Sequence, residues 1–66
     1  MPKQKFDEEL INLMMDSIIQ VYPSYKGLRA TWNLVECFNQ PFLRANYRRH
    51  FLEAMDRMGI HQSELF

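Results

Sequence analysis

The chain has 66 residues, of which 47% are apolar and nine are aromatic, a composition that argues against a disordered tail. Eight basic residues balance eight acidic ones, so no overall charge excess draws the chain to nucleic acid or an acidic membrane. We predict one helical domain over residues 1–66. A chain of this size buries only about 60% of the surface it exposes when unfolded, so its core is small.

The cysteine and hydropathy patterns bear on the cell compartment. Cys37 is the only cysteine, so the chain cannot form an intramolecular disulfide or a cysteine-based metal site, which favours a reducing compartment. No apolar run approaches the roughly 20 residues needed to span a bilayer. The N-terminus also lacks the apolar region of a signal peptide. The sequence therefore predicts a cytoplasmic protein with no membrane partner.

The first predicted helix covers residues 6–22 and is apolar over most of its circumference. Only a narrow polar strip interrupts it, made of Glu9, Asn12, Asp16 and Gln20. Such a helix has to be covered on two sides, by the other helices or by a second chain. The apolar positions recur every three or four residues: Phe6, Leu10, Leu13, Met14, Ile18, Val21 and Tyr22, widened by Ile11, Met15 and Ile19.

The second predicted helix covers residues 25–39. Pro23 ends the first helix because the residue before a proline is pushed out of the α region, and Ser24 is suited to cap the next helix. Gly27 costs up to about 1 kcal/mol relative to alanine inside a helix, so the regular part begins either at residue 25 or at Leu28. Cys37 falls on the apolar half and is expected to be buried.

The third predicted helix covers residues 41–58 and has the clearest boundaries. Pro41 suits the first helical position, and Gly59 suits the left-handed residue just past the end. Ile60 is expected to fold back as the apolar partner of a Schellman cap, and residues 61–66 form either a short turn or a loose end that docks on the core. One stripe is apolar: Leu43, Tyr47, Phe51, Ala54, Met55 and Met58.

These patterns predict an all-α fold, a small three-helix bundle with a short C-terminal turn. Its helices are expected to pack antiparallel or at steep crossings, with a sharp turn between the second and third. The predicted core contains Leu10, Met14, Ile18, Leu28, Trp32, Val35, Leu43, Tyr47, Phe51 and Met55.

Catalytic and metal-binding patterns are weak in this sequence. His50 and His61 stand eleven residues apart, which is not the spacing that places two ligands on one helical face. Cys37 and His50 are the residue types of a nucleophile and a base, but an apolar cysteine is usually a small buried hydrophobe. No glycine-flanked serine or glycine-rich phosphate loop occurs. We predict a non-enzyme with no catalytic residues, metal ligands or cofactor.

A basic edge supplies the alternative function, that of a small nucleic-acid-binding regulator. Such an edge can grip phosphates, with Asn46 in position to read a base edge. Against this, net neutrality is unusual in a nucleic-acid-binding domain. Glu53 can also form i, i+4 ion pairs with Arg49 and Arg57, which would neutralise part of the positive charge of this helix. The edge comprises Arg44, Arg48 and Arg49 of the third helix, joined by Lys26 and Arg29 of the second.

Two short stretches resemble known families. FLEAMDRMGIHQSELF, residues 51–66, is similar to the opening of a repressor-type helix-turn-helix, with Gly59 at the turn. The resemblance implies a recognition helix that would have to follow Phe66. VECFNQPFLRANYRRHF, residues 35–51, resembles the theta subunit of bacterial DNA polymerase III, although the proline aligns only with a gap. We predict membership of neither family.

A surface for another protein is the preferred prediction. Methionine side chains repack easily around a partner, and tyrosine is enriched at interfaces. Helix one carries more apolar area than so small a bundle is expected to cover, and large exposed apolar patches are uncommon on monomers. We predict a non-catalytic accessory or regulatory factor that binds another protein and self-associates through helix one. Its predicted interface contains Ile11, Met15, Ile19, Tyr22 and Tyr25.

Overall fold

The computed structural model describes residues 5–65, apart from the side chain of Glu64. Within these described residues, three α-helices follow one another: α1 (Glu8–Val21), α2 (Tyr25–Glu36) and α3 (Pro41–Arg57). A 3-10 helix (Gln62–Glu64) comes after them, and no strand occurs within residues 5–65. The predicted all-α three-helix bundle with a short C-terminal turn is confirmed. Phe66 lies outside the described residues.

Helix α1 begins two residues later than predicted because Asp7 is its N-cap. The Asp7 carboxylate accepts hydrogen bonds from the N–H groups of Glu9 (3.0 Å) and Leu10 (3.4 Å), which satisfies donors that have no partner within the helix. The helix ends at Val21, and Tyr22 takes an extended conformation before Pro23. The proline therefore ends this helix as the sequence predicts.

Helix α2 starts at Tyr25 with Ser24 as its cap. The Ser24 hydroxyl accepts a hydrogen bond from the Gly27 N–H at 3.1 Å, so Gly27 is helical. The helix ends at Glu36, three residues earlier than predicted. Cys37 is the C-cap and is exposed, which corrects the expectation that it is buried. Residues 37–40 form the turn that leads into Pro41. The residue before a proline is kept out of the α region, so the helix cannot continue to that point.

Gly27 allows the start of α2 to approach the end of α1 closely. A Cβ atom at this position would lie 2.7 Å from the Val21 Cβ, closer than packed side chains tolerate. We expect Gly27→Ala to lower the free energy of unfolding by about 1–3 kcal/mol, since overpacking outweighs the gain in helix propensity.

Chemical denaturation followed by circular dichroism measures the Gly27→Ala effect. The exposed Ala30 of α2 provides a reference, because Ala30→Gly should cost about 1 kcal/mol through helix propensity alone. A Gly27→Ala chain more stable than the wild type would show that the two helices do not meet as described.

Helix α3 has the predicted Pro41 at its first position and ends in a Schellman cap. Gly59 is left-handed, with φ 75°. The N–H of Ile60 bonds the Met55 carbonyl at 2.9 Å, and the N–H of Gly59 bonds the Asp56 carbonyl at 3.1 Å. This hydrogen-bond pair defines the motif. Ile60 is buried beside the last turn, as predicted.

The buried core draws on all three helices and on the C-terminal turn. Trp32 and Phe51 meet edge to face, with ring centroids 5.4 Å apart. Leu65 is buried, so the turn docks on the core instead of hanging loose. The buried apolar residues are Ile11, Met14, Ile18, Leu28, Trp32, Val35, Phe51, Ala54, Met55, Ile60 and Leu65.

Three predicted core residues are less covered than expected. Leu10 and Tyr47 are half-buried at the edge of the core, and the Tyr47 ring packs against Phe38 at 4.8 Å between centroids. Leu43 is exposed. It lies in the first turn of α3, directly after the turn that follows α2. At this point only one side of the helix packs against other parts of the chain.

Candidate interaction surface

Four predicted interface residues lie on α1, at its C-cap and at the start of α2, and we call them the α1 stripe: Met15, Ile19, Tyr22 and Tyr25. Ile19 is 65% exposed, both tyrosines are exposed, and Met15 is half-buried against the core. Met15 and Ile19 are one turn apart and therefore neighbours on the helix surface. Four of the five predicted interface residues thus remain at least partly accessible.

Ile11, the fifth predicted interface residue, is completely buried. It lies on the same side of α1 as Met14 and Ile18, and all three belong to the core. Ile11 was predicted to contribute to the interface, but the core of the chain itself covers its side chain. The apolar arc of α1 is so wide that its periodicity did not show which edge is covered.

The border of the α1 stripe is polar and acidic. Helix α1 carries Glu8, Glu9 and Asp16 and no basic residue. Glu9 and Asp16 are exposed, whereas Glu8 is held by Arg57. The stripe therefore lies mainly on a helix whose charged residues are all acidic.

Further apolar side chains are exposed away from the stripe, and the sequence analysis did not single them out as a surface. Leu13 is 63% exposed, but six residues separate it from Ile19, which places the two about 120° apart around α1. Phe42 is 79% exposed. Leu34, Phe38 and Leu43 are exposed near the turn between α2 and α3.

The three arginines of the predicted basic edge contact other parts of the same chain. Arg44 donates to the Phe38 carbonyl at 3.0 Å and so braces the turn after α2. Arg48 forms a two-pronged ion pair with Glu36, joining α3 to the end of α2. Part of the predicted phosphate-gripping capacity is thus already used within the chain.

Arg49 holds the segment that precedes α1. Its guanidinium donates to the Lys5 carbonyl and to the Asn46 side chain, both at 3.0 Å, and lies 4.8 Å from the centre of the Phe6 ring. The predicted Arg49–Glu53 pair is therefore absent from the described contacts. The predicted Glu53–Arg57 pair is present at 2.9 Å. Lys26 and Arg29 are exposed on α2.

The ion pairs shift the titration of their carboxylates. Hydrogen bonding to Arg48 lowers the pKa of Glu36, and hydrogen bonding to Arg57 lowers the pKa of Glu8. The same contacts raise the pKa of both arginines. Each carboxylate thus stabilises the fold while ionised and ceases to do so once protonated.

The Glu36–Arg48 ion pair makes the free energy of unfolding depend on pH in the acidic range. Because the folded pKa of Glu36 lies below its ordinary value of 4.5, its contribution is complete above that value and is lost as the pH falls through the folded pKa. We expect Glu36→Gln to be less stable than the wild type near neutral pH, with the difference shrinking as the pH falls from about 5 towards 3.

Urea denaturation across this pH range measures the Glu36→Gln effect. Asp16→Asn provides the comparison, because the Asp16 carboxylate forms no ion pair with any described residue. A Glu36→Gln deficit that stayed constant down to about pH 3 would mean that the ion pair does not contribute.

A shallow depression at the end of α3 collects the residue types of a hydrolase triad. Asp56, His61 and Ser63 line it, yet within the described part of the chain no hydrogen bond joins the three side chains. A proton relay requires such contacts. Among those same residues, no group of three or more histidine, cysteine, aspartate or glutamate side chains is placed to hold a metal ion.

The fold and surface define a small all-α bundle with an apolar strip on its first helix. Between residues 5 and 65, no helix combines the length and apolar character needed to cross a bilayer. No family model, curated protein or solved structure matches the chain.

Proposed function

We propose that this chain is a non-catalytic interaction module, an accessory or regulatory factor that binds another protein through the α1 stripe. The observation that carries the proposal is the exposure of Ile19, a β-branched aliphatic side chain left 65% accessible on a helix that also buries Ile11, Met14 and Ile18 in the core. Met15, Tyr22 and Tyr25 extend the accessible strip on either side of it.

The composition of the α1 stripe suits a binding surface. Tyrosine offers a large, rigid contact area at low entropic cost, and the Met15 thioether adapts to the shape of a partner. Each exposed aliphatic or aromatic side chain that becomes buried on binding contributes about 25 cal/mol per Å² of apolar area. An apolar centre with a polar border is the usual anatomy of a protein interface.

The border charge of the stripe indicates the chemistry of the partner. Asp16 and Glu9 are exposed on a helix that has no basic residue. A partner segment with apolar anchors and lysine or arginine at its border would pair with them and associate faster at low salt. An amphipathic helix of this kind is the partner we propose, and self-association through the same face is the competing outcome.

A pair of charge substitutions on α1 tests this proposal. Ile19→Asp places a charge in the stripe, and Leu13→Asp places the same charge at an equally exposed site on another side of the same helix. Ile19→Asp should weaken partner capture, or dimerisation measured by sedimentation equilibrium, at least tenfold, because a buried unpaired charge costs more than about 1.4 kcal/mol. Leu13→Asp should leave both unchanged.

The proposed binding role of the α1 stripe would be contradicted if both variants lost binding to the same extent. It would also be contradicted if neither variant lost binding. Circular dichroism of both variants checks that each remains helical. A dimer lost only with Ile19→Asp would identify a second copy of the chain as the occupant.

The second candidate is a nucleic-acid-binding regulator, supported by the exposure of Lys26 and Arg29 on α2. It predicts affinity for duplex or single-stranded nucleic acid that falls steeply with salt. Replacing Lys26 and Arg29 by alanine should flatten that salt dependence without disturbing the fold. Replacing Arg48 and Arg49 tests the original edge, but each also removes contacts that hold the bundle together.

A further inference from the structure

His50 is the buried ionisable residue for which the proposed function has no use. Its side chain is 1% exposed, in the middle of α3. One ring nitrogen, Nδ1, lies 2.7 Å from the Asn46 carbonyl, which can only accept a hydrogen bond. The other, Nε2, lies 2.9 Å from the N–H of Asp7, which can only donate. These partners require a neutral imidazole with its proton on Nδ1.

The contact with Asp7 joins residues that are 43 positions apart in the chain. Phe6 adds to it by packing its ring edge to face against the imidazole, with centroids 5.3 Å apart. Arg49 completes the arrangement by contacting the Phe6 ring and the Lys5 carbonyl. Residues 5–7 are thus fastened to α3 by two side chains that lie next to each other in sequence.

We propose that His50 is a pH-sensitive latch, which holds residues 5–7 on α3 while neutral and releases them when it takes up a proton. Histidine changes charge between about pH 5 and pH 8. A proton on Nε2 would face the Asp7 N–H, so that two donors would meet in a site without water access. An unsatisfied buried donor of this kind is unfavourable, and a buried charge more so.

Several charged groups lie around His50. On the N-terminal side, the Oδ1 atom of Asp7 accepts hydrogen bonds from the first N–H groups of α1, and both oxygens of Glu8 are bonded to Arg57. Lys5 is positively charged. On α3, Arg49 and Arg57 add positive charge, while Glu53 is paired with Arg57.

Release of residues 5–7 would uncover Phe6 and the side of α3 beneath it. Phe6 is half-buried and packs against the core, so its departure would add apolar surface at the start of α1. The latch therefore goes beyond the proposed function, since it predicts that acid changes which apolar surface the module presents.

Nuclear magnetic resonance of the full chain from about pH 8 to pH 5 tests the latch. We expect the hydrogen-exchange protection of the Asp7 amide, corrected for intrinsic exchange, to fall at least about tenfold in step with the titration of the His50 ring. The helical circular dichroism should stay constant over this range, because aspartate and glutamate side chains remain ionised. Protection unchanged while His50 titrates, or loss of helicity in the same step, would overturn the proposal.

Two histidine variants separate the latch from other titrations. His50→Gln should leave the exchange of the Asp7 amide independent of pH, since the side chain no longer titrates. His61→Gln removes the other histidine, which is exposed, and should keep the wild-type response. A pH step lost in His61→Gln would refute the role of His50. If His50→Gln fails to fold, the wild-type ring titration decides the question.

Discussion

Phe51→Ala should leave much of the chain unfolded at room temperature. Phe51 is completely buried and packs edge to face on Trp32, and truncating such a ring removes about 3–5 kcal/mol of stability. A domain of this length is expected to have only about 3–10 kcal/mol in total. The loss is therefore comparable to the whole stability of the fold.

Urea or thermal denaturation monitored by circular dichroism measures the Phe51→Ala effect. Phe42→Ala is the matched control, because it makes the same change in the same helix at a side chain that is 79% exposed. It should alter the free energy of unfolding by no more than about 0.5 kcal/mol. Similar losses in the two variants would mean that α3 presents a different face to the core.

Ile11→Ala and Ile19→Ala should separate stability from binding on one helix. Ile11 is completely buried, so its truncation should lower the free energy of unfolding by about 2–5 kcal/mol. Ile19 is exposed, so its truncation should change stability by no more than about 0.5 kcal/mol but should weaken partner binding. Denaturation and a binding assay on the same samples give both values.

The reverse result would be informative about the orientation of α1. If Ile19→Ala unfolded the chain and Ile11→Ala did not, the helix would be rotated relative to the orientation described above, with Ile19 in the core and Ile11 on the accessible side. An equal and small effect of both would indicate a core that does not depend on α1.

The small core is supplemented by contacts at the helix ends and between distant segments. Asp7 and Ser24 cap α1 and α2, and a Schellman cap closes α3. Arg57 joins Glu8 of α1 to Glu53 of α3. Because exposed ion pairs each contribute little, their main effect is to fix the relative positions of segments whose apolar contacts are few.

The sequence by itself determined the three helices and most of their ends. Ser24, Pro41 and Gly59 mark helix boundaries that can be read from the sequence, because capping and backbone preferences depend on nearby residues alone. The spacing of Leu28, Trp32 and Phe51 likewise identified core positions, since helical periodicity is a local property.

Only the tertiary structure decided which edge of the apolar arc on α1 is covered, and it buries Ile11 while leaving Ile19 accessible. It also decided the burial of His50, whose contact with Asp7 spans 43 positions, and the attachment of Arg49 to Lys5 across 44. Local periodicity carries no information about such pairs. Their geometry depends on how whole helices cross, which is fixed only when the segments pack together.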